Sequence, residues 1–208
     1  MKRSKALLMA VFLVTFLMTG CGAVNNLPHP DGLSSIIVSE TGALTYDLGG
    51  VLDQDYYNVD ELVSMARSEI SEFNSQVGGA AVSLGDYSYD AATGRVYLPY
   101  QFTGTGYCEK LTGTKVFFGS VTQASLAGFD LSGMTFYSVK DGGAKPGSQI
   151  VSELSDRDVI ITNLQGAVMG PRAPEYTSEG LFWVSGESGD YCNTLNHTGD
   201  YAVILLKK

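Results

Sequence analysis

The sequence predicts an α+β fold in which one long amphipathic helix packs on an antiparallel β-sheet. Three observations predict it. A single long segment, 59–77, repeats its apolar residues at helical spacing. The other apolar segments are short and rich in Val, Ile, Tyr and Phe, as strands are. Clusters of Gly, Asp, Asn and Ser separate them, which is turn chemistry. One helix followed by a run of strands places that helix over one face of a sheet.

Residues 1–20 precede the fold. Lys2, Arg3 and Lys5 make a basic start, and Ala6 to Leu17 is apolar apart from Thr15. The apolar run is short for a membrane span and has the flanks of a cleaved export signal. Leu17-Met18-Thr19-Gly20-Cys21 resembles the lipobox of bacterial lipoproteins, with Met18 where that pattern more often has leucine. The resemblance implies a diacylglyceryl thioether on Cys21 and cleavage before it. Two acyl chains, at about 0.8 kcal/mol per buried methylene, hold a protein on a bilayer where one chain is marginal. No other segment of the sequence is apolar enough to cross a membrane. Residues 21–34 contain Asn25, Asn26, Pro28, Pro30 and Gly32 and read as a flexible tether, with a reach of roughly 20 Å on coil scaling. Residues 35–208 form a single domain.

Within that domain, short strands are expected at 35–39 and 43–48. The helix follows over 59–77. Asn58 is a good N-cap, Glu61 completes a capping-box pattern, and Asp60 and Glu61 suit the positive end of the helix dipole. Val59, Leu62, Ala66, Ile70, Phe73 and Val77 make one stripe, expected to be buried, while Arg67, Glu69 and Glu72 face water. Gly78 and Gly79 stop it. A strand is expected over 81–89 with a bulge near Gly85, then a hairpin loop at 90–94 and a strand at 95–102. Pro99 marks that last strand as an edge or a bulged strand. Further strands are expected at 115–121, 134–139, 159–162, 181–185 and 201–206, with a helical turn at 122–127.

The helix with Glu61-Leu62 and Glu72-Phe73-Asn74, the Val82-Ser83-Leu84 strand, the Val116-to-Val121 segment with Ala124, Gly128 and Phe129, and the closing Tyr201-to-Lys207 strand cover most of the mature chain. Together they resemble a group of uncharacterised surface lipoproteins of gut clostridia and related Firmicutes. The resemblance implies a compartment and a lineage; no motif in it is catalytic.

The formal charge is -9, and the segment removed on export carries three cations and no acid, so the mature chain is more acidic still. That argues against nucleic acid, where Lys and Arg on phosphates supply most of the affinity, and against docking on anionic lipid headgroups. An exported protein can join Cys108 and Cys192 in a disulfide, and two separate thiols are the alternative. Of the two histidines, His29 lies in the tether. His197 lies near Asp190 and Cys192, but a structural zinc site needs four ligands and the close cysteine pair is missing. The loop 141–148 lacks the glycine–lysine–hydroxyl ending of a phosphate-binding loop, and Pro146 removes an amide. Asp53 with Asp55, and Asp86 with Asp90, are carboxylate pairs at turns, common in an acidic protein without glycosidase chemistry. No calcium-binding run or nucleophile elbow appears; Ser185 to Gly189 has the wrong register. No metal or other cofactor is expected. Of the 12 tyrosines, Tyr87 and Tyr89 share one face of an expected strand and are the candidate ligand-facing aromatics.

The expectation is a lipoprotein on the extracytoplasmic face of the bacterial cell membrane, anchored through lipid on Cys21. Its domain is expected to be a non-catalytic binding or interaction module for an envelope protein or glycan. The alternative is an enzyme acting on cell-wall or other extracellular polymer, motivated by the compartment and the Asp-rich turns.

Overall fold

The computed structural model describes residues 32–54, 56–185 and 189–208. The export signal, Cys21, His29 and Asp55 lie outside the described residues.

The chain runs through β1 (Ser35–Val38), β2 (Leu44–Val51), α1 (Val59–Val77), β3 (Val82–Leu84), β4 (Ser88–Asp90), β5 (Arg95–Phe102) and α2 (Thr105–Thr112). It continues through β6 (Val116–Ser120), α3 (Val121–Leu126), β7 (Thr135–Ser138), β8 (Ala144–Pro146), α4 (Gly147–Glu153) and β9 (Asp158–Thr162). It closes with β10 (Ala167–Met169), β11 (Pro174–Ser178), β12 (Phe182–Val184), β13 (Tyr191–Asn193) and β14 (Ala202–Leu206).

The expected fold class is corrected by this architecture. Among the described residues the chain is mostly sheet: fourteen strands divide into two sheets, and four helices accompany them. The first sheet has the order β12-β13-β10-β1-β2-β5-β3, with β4 also paired to β5; the second has the order β6-β9-β14-β11-β7-β8. The first sheet is mixed, because β1 and β10 run parallel. Ser34 belongs to the packed domain: its carbonyl accepts from Ala167 N at 3.3 Å and its Oγ from Gly49 N at 3.2 Å.

Two cores explain why sheet dominates. Ile160, Ile204 and Leu206 of the second sheet join Ile36, Val38 and Val168 of the first, together with the buried face of α1. The alternate residues Val159, Ile161, Val203 and Leu205 pack on the other side, against Val121 and Ala124 of α3 and Ile150 of α4. Successive side chains of a strand point to opposite faces. A strand buried on both faces must therefore be apolar throughout, which is why β14 reads Ala-Val-Ile-Leu-Leu and every residue in it is buried.

α1 occupies the range its sequence predicts. Asn58 Oδ1 accepts from Asp60 N at 2.8 Å and Glu61 N at 3.4 Å, and Gly78 takes the left-handed conformation at φ 74° that ends the helix. Ala66, Ile70 and Phe73 are buried as expected; Val63 replaces the half-buried Leu62 as the fourth. The expected 81–89 strand is split into β3 and β4 at Gly85, whose N–H donates to Pro99 O at 2.8 Å. That bond lies in the gap between the two short strands, so Pro99 leaves no ladder donor wanted there. Gly147, which the sequence places in a loop, starts α4. A Cβ on it would lie 1.8 Å from Leu131 O, so only glycine fits.

Candidate functional site

A cleft of about 650 Å³ opens where the first strand of the second sheet meets the turn after α3 and the start of β14. Its apolar wall is aromatic. Phe117 comes from β6, Phe129 from the turn after α3, and Tyr201 from the residue before β14. The Phe117 and Phe129 centroids lie 5.4 Å apart at 53°, and those of Phe129 and Tyr201 5.4 Å apart at 84°. Each ring is half-buried and packs at its base against the second core. Phe129 is fixed by its backbone N–H on Ala124 O at 3.1 Å, a bond from the turn back onto α3.

Around the rings stand charged groups. Lys115 Nζ lies 5.7 Å from the Tyr201 ring centroid, 3.3 Å from its hydroxyl and 3.6 Å from Glu109 Oε1. Those contacts, the Tyr201 hydrogen bond first, raise the Lys115 pKa above its ordinary value. Asp130 accepts from Ser132 N at 3.0 Å and Ser132 Oγ at 2.6 Å, which lowers its pKa and keeps it ionised. Asp200 completes the lining carboxylates. The arrangement offers flat apolar faces for a ligand body and charged groups at the rim to orient it.

The residues expected from sequence lie elsewhere. Tyr89 is 43% exposed on β4, opposite Val96; Tyr87 precedes that strand, half-buried against the first core. Neither lines the cleft. Cys108 and Cys192 are both buried free thiols, so the candidate disulfide is not formed. Burial pushes their pKa values up to about 11 and about 12, and Cys108 Sγ lies 3.5 Å from Thr112 Oγ1. Packing in the first core accounts for both cysteines. His197 Nδ1 bonds Gly199 O at 2.8 Å, so it braces the loop that carries Gly199 and Asp200 into the cleft wall. Asp90 accepts from Ala92 N and Thr93 Oγ1 and closes its hairpin turn; Ser185 Oγ donates to Asp190 at 2.5 Å. Among the described residues, no group of three or more His, Cys, Asp or Glu is placed to hold a metal ion, and no helix is long and apolar enough to cross a membrane.

The sequence reading missed Phe117, Phe129 and Tyr201 as a set. Phe117 and Tyr201 lie far apart in the chain and meet at one cleft through the β6-β9-β14 order, while the turn after α3 brings Phe129 between them. No local motif marks them.

No protein-family model, curated protein or solved structure matches the chain.

Proposed function

We propose that this protein is an extracytoplasmic lipoprotein, held on the bacterial cell membrane through lipid on Cys21. Its domain is a non-catalytic binding module that takes a ligand of the envelope in the aromatic cleft. The convergence of Phe117, Phe129 and Tyr201 around one opening carries this reading, because half-buried rings at a cleft mouth are binding surface. Of its charged groups, Glu109 is engaged with Lys115, and Asp130 with Ser132 beside the cleft. The lipobox at 17–21 and the likeness to surface lipoproteins of gut clostridia support the compartment.

The test is fluorine NMR of the full-length protein labelled with fluorophenylalanine, titrated with fractionated envelope glycans and proteins. The resonances of Phe117 and Phe129 are expected to move, and that of the exposed Phe182 to stay. A fraction that binds while moving only Phe182, or neither cleft resonance, overturns the assignment of the cleft.

A further inference from the structure

Residues 22–31 separate Cys21 from Gly32, where the chain enters the domain. On coil scaling that segment reaches about 18 Å, and at full stretch no more than about 40 Å. A domain of this size is itself about 40 Å across. The position of Gly32 therefore decides which end of the domain meets a membrane that holds Cys21. Its carbonyl packs on β2, where a Cβ added to Gly49 would meet it at 2.6 Å. A Cβ on Gly32 would lie 3.7 Å from Arg95 Nε and 3.9 Å from Val51 Cγ2. Gly32 thus sits at the close of β2, beside the β4–β5 hairpin.

The same end concentrates exposed apolar side chains. Val51 is 51% exposed, Tyr56 76%, Tyr57 48% and Tyr89 43%. Val51 lies opposite Arg95, and Tyr89 opposite Val96, the next residue of β5. The chain from Val51 to the tyrosine pair stays close to the hairpin: Leu52 N–H donates to Gly94 O at 2.8 Å, and Tyr57 N–H to Gln54 O at 3.0 Å. Tyr56 and Tyr57 meet edge to face, with centroids 4.8 Å apart. Outside β2, the other exposed large apolar residues described, Met65, Leu126 and Phe182, come one each from α1, α3 and β12. A tyrosine has an apolar ring and a hydroxyl that stays wet, which suits the level of the lipid headgroups. The charged groups here are exposed and acidic in balance: Asp53, Asp60 and Asp90 stand against Arg95. Anionic headgroups gain nothing from that balance, so the rings supply the attraction. A lipid anchor makes the contact intramolecular, at an effective concentration where a weak partition suffices.

Resting on the lipid anchor at Cys21, we propose that this end of the domain is a membrane-docking surface. Val51, Tyr56, Tyr57 and Tyr89 settle into the interface of the bilayer that holds the lipid. Docking orients the domain, with the close of β2 on the membrane and the β1–β2 hairpin, about 25 Å further along the strand, away from it.

The experiment is fluorine NMR of the lipidated full-length protein, labelled with fluorotyrosine and placed in phosphatidylcholine nanodiscs that carry a headgroup nitroxide lipid. Co-elution with the discs reports the anchor, and line broadening reports the docking. Tyr176 of β11 is the control, because Glu40 in the β1–β2 hairpin pairs with Arg172 just before that strand, at the far end of β2. Tyr56, Tyr57 and Tyr89 are expected to broaden several-fold more than Tyr176. Tyr56→Ser/Tyr57→Ser alters only exposed rings; it is expected to stay with the discs and lose the broadening of Tyr89. Added phosphatidylglycerol is expected to weaken the broadening at low salt; a stronger effect would contradict docking through the rings. Equal broadening of Tyr57 and Tyr176 in protein that co-elutes overturns the docking and leaves the anchor standing. Shielding of Tyr56 and Tyr57 from a soluble nitroxide, without broadening by the lipid one, assigns the surface to a second copy of the chain and overturns the docking too. Protein that does not co-elute overturns the anchor together with the docking that rests on it.

Discussion

Asn74, in the last turn of α1, grips Val82 at the start of β3 from both sides. Its Oδ1 accepts from Val82 N at 3.0 Å and its Nδ2 donates to Val82 O at 2.8 Å; Oδ1 also accepts from Ala81 N at 2.8 Å. One side chain thus supplies the sheet-like partners that the turn at Gly78 and Gly79 cannot, and it fixes where the chain enters the first sheet. Asn74→Ala removes three hydrogen bonds and is expected to cost about 2–3 kcal/mol in urea denaturation. Asn74→Asp keeps the acceptors and loses the donor, so it is expected to cost less. Equal stability of Asn74→Ala and wild type would show that water replaces the clamp.

The buried stripe of α1 predicts a contrast between two neighbouring turns. Phe73 packs into the first core and meets the Tyr107 ring edge-on at 6.3 Å. Phe73→Ala is expected to cost on the order of 3–5 kcal/mol. Glu69 is exposed and accepts only a 3.5 Å bond from Tyr100. Glu69→Ala is expected to cost less than about 1 kcal/mol. Thermal melts of the two variants decide it; a harmless Phe73→Ala would expose the stripe as a docking surface.

Asp47 predicts a pH dependence. It is buried in β2, and burial raises its pKa from 3.8 to about 6. Below about pH 4 the carboxyl is neutral in both the folded and the unfolded chain. Between about pH 4 and 6 the folded chain keeps a proton that the unfolded chain has released, so stability falls as pH rises. Above about pH 6 the cost of the buried charge is complete, on the order of 2–3 kcal/mol. Asp47→Asn is expected to flatten this slope between pH 4 and 6 in chemical denaturation. A wild-type slope of the opposite sign in that window, traced to Asp47 by the same variant, would contradict a raised pKa.

The two thiols predict a reactivity pattern. Cys108 and Cys192 are buried and held in the neutral form. Since the thiolate is the nucleophile, maleimide is expected to label neither in the native protein and both in urea without a reductant. A need for reductant before labelling in urea would show a bond between them.

Much of the fold is legible where one residue pattern has one outcome. The Asn58 cap, the stripe through Ala66, Ile70 and Phe73, and the Gly78 stop fix α1 locally. The Ser120–Gln123 capping box does the same for α3, where the sequence predicts a helical turn at 122–127. The shortest strands of both sheets are not legible in this way. β8, β10 and β13 have three residues each, too few to show a period. α2 carries a glycine and buries only Cys108. The chain also alternates between sheets after β9, passing from β10 to β11 to β12, and no local pattern encodes that exchange. The cleft inherits the same opacity. Tyr87 and Tyr89 lie two apart in sequence and so were visible, whereas Phe117 and Tyr201 reach one cleft only because β6 and β14 both pair with β9.

The most direct test of a membrane-held binding module is the anchor itself. Metabolic labelling with an alkyne fatty acid, in a bacterial host that processes lipoproteins, compares wild type with Cys21→Ser. Label on the wild type alone, with the wild type in the membrane fraction and the variant released from it, is the predicted result. Equal labelling of both, or an unlabelled wild type, would contradict the lipoprotein reading and remove the membrane from the proposed function.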